Sequence, residues 1–186
     1  FPAYRKGDMQ YNDFYFSSSE SYFMQGDLIH SLPVVYWNYD GGKYETAFSP
    51  VMLVSNSCDV SADNSRIADK EALFAQAIPL DDYINDLKDD GIEENKIKSI
   101  LSDIRNQKLT NIFYLPSCES MPKEFIVFFD KICWHPSDVF VQKLEKINEE
   151  RNLSLSIWGY YLLVFKLSIH FCRVPEEVER VNKAVA

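Results

Sequence analysis

Residues 27–37 (DLIHSLPVVYW) narrow the fold of this chain more than any other stretch. Their β-branched and aromatic side chains suit a pleated, half-buried surface rather than a helix. Pro33 marks a bend or an edge position, because it lacks the N–H that a central strand needs. Asp40-Gly41-Gly42 then supplies a turn whose glycines accept positive φ, and residues 43–48 read as the return strand of a hairpin. The next run, residues 50–55 (PVMLVS), is short and almost wholly apolar, as expected of a strand buried on both faces. Residues 56–66 are polar and read as a loop. Residues 72–78 (ALFAQAI) read as a further strand, closed by Pro79.

The pattern then changes. Ile97, Ile100, Leu101 and Ile104 recur at helical spacing behind Glu93 and Glu94, with Asp90 or Gly91 as the expected cap and an end near Asn106. Residues 111–115 and 124–130 return to β, the second containing FIVFF. The last third reads as helical. His135-Pro136-Ser137-Asp138 looks like a helix start, with Phe140, Leu144 and Ile147 on one face. Ser154 or Ser156 caps a longer helix on which Trp158, Tyr161, Phe165, Ile169 and Cys172 share a face, expected to lie in the core. Pro175 opens a last helix to about residue 183.

At 186 residues the chain fits one domain, and 46% apolar content is enough to bury a core. No apolar run is long enough to span a bilayer as a helix, so no membrane partner is expected. Nineteen basic residues against 28 acidic ones give a net charge of −9. Residues 81–94 alone hold seven acidic side chains against Lys88, which is −6 of that total. A broad nucleic-acid surface would need a basic stripe, and none is visible. The four cysteines, Cys58, Cys118, Cys133 and Cys172, are widely spaced without a CxxC pair, which favours reduced thiols and a cytoplasmic setting.

Chemistry-bearing residues concentrate at Ser55-Asn56-Ser57-Cys58-Asp59, where an apolar strand runs into a polar loop. Cys58 would be a nucleophile if His30 lay beside it, with Asp59 orienting that His. The plainer reading has Ser55, Asn56 and Asp59 satisfying backbone groups in a turn. Cys133-x-His135 shares a face if it lies on a strand, whereas His170-x-Cys172 on a helix does not converge. Neither pair makes a four-ligand metal site, and no metal or cofactor is expected. Phosphate-loop, HExxH and GxSxG motifs are absent from the sequence.

Gly26-Asp27-Leu28-Ile29, the glycine-containing hairpin and Ser49-Pro50-Val51-Met52-Leu53-Val54-Ser55-Asn56 together resemble the start of the PemK/MazF-type SH3-like barrel, over residues 26–80. The resemblance implies a small β-barrel and, for toxin members, metal-free RNA cleavage by a basic residue and a hydroxyl near these strand ends. Ser55 matches the hydroxyl. Ser49 stands where the family has arginine, so Lys43 or Arg66 would have to substitute.

The expectation is therefore a single-domain α+β chain. It has an N-terminal SH3-like small β-barrel (about residues 20–80 and 109–131), an acidic helical insertion (81–108) and packed C-terminal helices (136–186). Its expected function is that of a non-catalytic protein-interaction module, which requires an exposed aromatic patch. The alternatives are a diverged MazF-like endoribonuclease with RNA as partner, built on Ser55 with Lys43 or Arg66, and a cysteine-dependent hydrolase built on Cys58 and His30, with Asp59 orienting that His. Self-association stays open.

Overall fold

The computed structural model describes residues 14–16, 23–60, 71–136 and 151–172. Seven strands and four helices follow one another in an α+β arrangement: β1 (Tyr15–Phe16), β2 (Leu28–Asn38), β3 (Lys43–Leu53), α1 (Ser57–Val60), β4 (Glu71–Pro79), α2 (Leu80–Asp89), α3 (Glu94–Arg105), β5 (Ile112–Leu115), β6 (Phe125–Pro136), β7 (Arg151–Leu155) and α4 (Ile157–Phe171). The strands form one antiparallel sheet in the order β1-β7-β2-β3-β4-β6-β5.

The predicted hairpin is present. Leu32 to Asn38 of β2 stand opposite Ser49 to Lys43 of β3, with an irregularity between Ile29 and Leu32. Strands 43–48 and 50–55 are not separate. Pro50 lies within one continuous β3, just past the last pair with β4, where the Ser49 hydroxyl donates to Ala77 O in place of the missing N–H. The strand over residues 72–78 and the FIVFF strand pair as β4 and β6.

Alternation along these strands sends side chains to two faces. Leu28, Met52, Ala75, Phe113, Val127 and Phe129 pack on one face against Leu155, Leu163 and Leu167. The opposite face splits into two clusters. Ile29, Val51, Leu53, Phe74 and Val60 make the first. Ile112, Tyr114 and Ile126 meet Leu80 and Ile104 from α2 and α3 in the second. The sheet is thus covered by α4 on one side and by the α2–α3 pair with α1 on the other.

Several expectations are corrected. Among the described residues the sheet is open, with β1 and β5 at its two margins, so it does not close into a barrel. Residues 151–155, placed by the sequence within the helical C-terminal region, form instead the strand β7 between β1 and β2. His135 and Pro136 end β6 rather than open a helix, because pairing with Ala72 and Glu71 extends that strand. The helix expected over Phe140, Leu144 and Ile147 and the one beginning at Pro175 lie outside the described residues. The polar stretch after β3 contains the short α1.

The acidic insertion is a helical pair. Asp90 and Gly91 end α2 rather than cap α3: Gly91 has φ 73°, its N–H donates to Lys88 O, and Ile92 N–H donates to Leu87 O. Helix α3 ends in the same way, with Gln107 at φ 58° donating to Ile104 O and Lys108 donating to Asp103 O. Ser156 caps α4 as expected, its Oγ accepting from Gly159 N at 3.3 Å.

Candidate functional site

Two loci stand out: the strand end that carries the predicted site residues, and the outward face of α4 with a groove beside it. At the strand end the hydroxyls serve the backbone. Ser55 Oγ accepts from Leu73 N at 2.8 Å, and Ser57 Oγ accepts from Gln25 N at 2.9 Å. Gln25 Nε2 donates to Val54 O at 2.6 Å, and Asp59 N donates to Asn56 O at 2.9 Å. The Gly26-Asp27 pair is structural too. Gly26 sits at φ 93°, where a Cβ would come within 2.7 Å of Leu155 Cδ1, and buried Asp27 accepts from Met24 N through Oδ2. These residues close a turn against α4.

The predicted partners do not all gather here. Lys43 opens β3 at the hairpin tip and pairs with Glu45 at 3.2 Å, whereas Ser55 lies beyond the other end of that strand. At 3.2–3.4 Å per residue, β3 alone puts roughly 33 Å of strand between the two. A Ser55–Lys43 site is not formed, because one hairpin holds them at opposite ends. Arg66 lies outside the described residues. Cys58 and Asp59 are exposed on α1, and His30 is exposed on β2 beside its irregularity. Cys133 and His135 share a strand face, as expected, and His135 packs its ring edge-on to Phe74. His170 instead approaches Asp130, at 3.3 Å. Among the described residues no three His, Cys, Asp or Glu side chains are grouped to hold a metal ion. No helix among them is long and apolar enough to cross a membrane.

Beside this turn, an open groove of about 320 Å³ runs between the loop and α4, lined by Gln25, Asn56, Tyr160, Val164, Leu167, Ser168 and Phe171. No carboxylate, imidazole, amine or thiol lines it. It can hold an apolar or hydrogen-bonding group but offers no nucleophile–base pair.

The sequence of α4, IWGYYLLVFKLSIHF, is apolar on every side, a composition usually found in buried helices. Here its orientation is inverted. Gly159, Leu163, Lys166 and Leu167 face inward, and Gly159 is required because a Cβ there would lie 2.8 Å from Phe14 O. The one lysine of the helix is only 4% exposed. Its Nζ donates to Gln107 O and Oε1, both at 3.0 Å, and to Ile112 O. Burial lowers its pKa from 10.5 to about 8.

Outward stand Trp158, Tyr161, Phe165 and Ile169, the stripe expected in the core; Tyr161 and Phe165 are 58% and 62% exposed. These residues share a face, as their spacing predicts, but that face points to solvent. Periodicity identifies a face without saying which way it points, and on this helix both faces are apolar. Nothing in the sequence signals the Lys166–Gln107 contact, which joins residues 59 positions apart.

Gln107 also clips a strand edge. Its Nε2 donates to Tyr114 O at 2.7 Å and its Oε1 accepts from Tyr114 N at 3.1 Å, in the manner of a neighbouring strand. Nearby, Arg105 holds Glu124 through two nitrogens while Tyr114 donates its hydroxyl to the same carboxylate. Arg105 keeps the Glu124 carboxyl below its usual range, and burial with the Glu124 contact pushes the Tyr114 hydroxyl well above the ordinary tyrosine range, leaving it a neutral donor. This cluster fastens α3 to the sheet. Compared with known protein families and with curated proteins, the chain matches none.

Proposed function

We propose that this chain is a non-catalytic interaction module of the cytoplasm, built on an SH3-like β2–β3–β4 meander of PemK/MazF type, whose outward α4 face takes a partner protein. One observation carries the reading: Trp158, Tyr161 and Phe165 stand in solvent on a helix whose only lysine faces the core. Aromatic side chains clustered on a rigid element are the usual anchors of protein interfaces, and contiguous exposed apolar surface of this kind marks an interaction site. The adjoining groove gives such a partner a pocket beside the stripe. The ribonuclease alternative has less support, because Ser55 Oγ already accepts a backbone N–H and Lys43 is remote.

The test is the variant Trp158→Ser, Tyr161→Ser, Phe165→Ser beside the unmodified protein. Expected is an unchanged fold with reduced binding of a hydrophobic dye, and loss of a stoichiometric partner that crosslinks to the unmodified α4. Unfolding of the variant would show instead that the stripe serves the chain's own core. An RNA cleavage assay in parallel is expected to show no activity; cleavage abolished by Ser55→Ala would transfer the reading to the nuclease.

A further inference from the structure

The exposed strand edges of this sheet are not treated alike. β1 has two residues. At β5 the outward groups are occupied, because Gln107 takes both backbone groups of Tyr114 and Lys166 takes Ile112 O. On β2, pairing with β7 stops at Ile29, and Pro33 interrupts the free part. Pro33 has no N–H to give Phe48 across the ladder, so their pair is of the type whose backbone groups face away from each other. The missing donor therefore falls on the outer edge of β2, a common way of blunting an edge.

β3 has no such guard ahead of Pro50. It pairs with β4 only over Val51, Met52 and Leu53; beyond them Pro50 offers no donor, and the Ser49 hydroxyl donates to Ala77 O instead. Two-residue alternation from Phe48 places the N–H and C=O groups of Tyr44, Thr46 and Phe48 outward. Among the described residues no strand receives them. Their side chains share one face with Pro33, Val35 and Trp37, and Tyr44 and Phe48 are 73% and 76% exposed.

We infer that this edge of β3 pairs with the same edge of a second copy, antiparallel, with the two-fold axis at Thr46. Pairing about Thr46 places Tyr44 opposite Phe48 of the second copy and Glu45 opposite Ala47, and it stops short of buried Ser49, whose hydroxyl donates to Ala77 O. Aromatic meets aromatic, threonine meets threonine, and no like charges face each other. An axis one residue earlier sets Glu45 directly against itself. An axis one residue later sets Tyr44 against Pro50, which lacks the donor. The favoured register builds rows across four strands, Trp37–Tyr44–Phe48–Pro33, and Trp37 already packs edge-on against Tyr44 at 5.0 Å between ring centres.

The size of the surface sets the strength of the contact. At 150–250 Å² per aromatic side chain, the exposed parts of Trp37, Tyr44 and Phe48 amount to on the order of 400 Å². A stable interface needs about 800 Å² from each partner. The dimer is accordingly reversible rather than obligate. It uses a surface separate from the α4 stripe and stands or falls independently of it.

Sedimentation velocity on a micromolar dilution series tests this. The expected result is a mass rising reversibly from 21.6 kDa toward twice that value. Thr46→Pro removes only an outward donor and should weaken self-association by about tenfold or more, a loss of about 1.4 kcal/mol. Phe48→Lys, at an exposed position, should do the same and decides the matter if the proline variant misfolds. Hydrogen exchange adds a register test: amides of Tyr44, Thr46 and Phe48 gain protection with concentration, whereas those of Glu45 and Ala47 are protected at every dilution. A mass of one chain throughout would overturn the proposal. So would a dimer that survives both variants, or one abolished by the α4 triple substitution instead.

Discussion

Gln107 holds a left-handed backbone that a glycine would adopt at less cost, and the contacts of its side chain explain why a glutamine stands there. Its amide completes the edge of β5 and receives the Lys166 ammonium, so one residue ends a helix, closes a strand and seats a buried charge. Lys166 titrates at about 8 when folded and at its ordinary 10.5 when unfolded. Between these values only the unfolded chain keeps the proton, so this group makes stability rise with pH across that window. The stabilisation is complete above 10.5 and is lost as pH falls through about 8. Relative to Lys166→Met, denaturant titrations should show the unmodified protein gaining on the order of 3 kcal/mol from pH 8 to 10.5. A parallel pair of curves would contradict the buried, lowered lysine. Ser55 is a second residue whose role is settled by its partner. Ser55→Ala leaves Leu73 N–H without its acceptor and should cost about 1 kcal/mol in chemical denaturation.

Among the elements, those legible in the sequence are the ones whose pattern is local. The β2–β3 hairpin announces itself by a β-rich run, a glycine turn and a return run, and α3 by isoleucines at helical steps. β7 does not: RNLSL is short and half polar, and becomes a strand because β1 and β2 lie on either side of it. The candidate site divides along the same line. That Ser55 would serve a turn is readable, since serine after a strand commonly bonds the backbone. The orientation of α4 is not, because burial of Lys166 depends on carbonyls supplied by Gln107 and by Ile112 of β5. Helix α2 shows a local conflict of a different kind. Asp89 is its last residue, placing a negative charge at the negative end of the helix dipole. Asp89→Asn should therefore stabilise the protein by about 0.3–1 kcal/mol at low salt, read as a raised thermal midpoint, and the gain should shrink as salt is added.

For the whole molecule, the insertion of β7 between β1 and β2 has a consequence for the order in which the chain can assemble. Leu28 meets Leu153 across the β2–β7 ladder, and the cluster around it includes Leu155, Leu163 and Leu167 from the far end of the described chain. The meander and the α2–α3 pair can form from residues already synthesised, but this face of the sheet stays uncovered until β7 and α4 emerge. Residues 28 and 153 are 125 positions apart. At 5–20 residues per second the interval on the ribosome is roughly 6 to 25 s. Once Phe129 has been made, Met52, Ala75 and Phe129 form a bare apolar surface until β7 and α4 follow, so the nascent chain is most open to aggregation or chaperone capture shortly before β7 arrives.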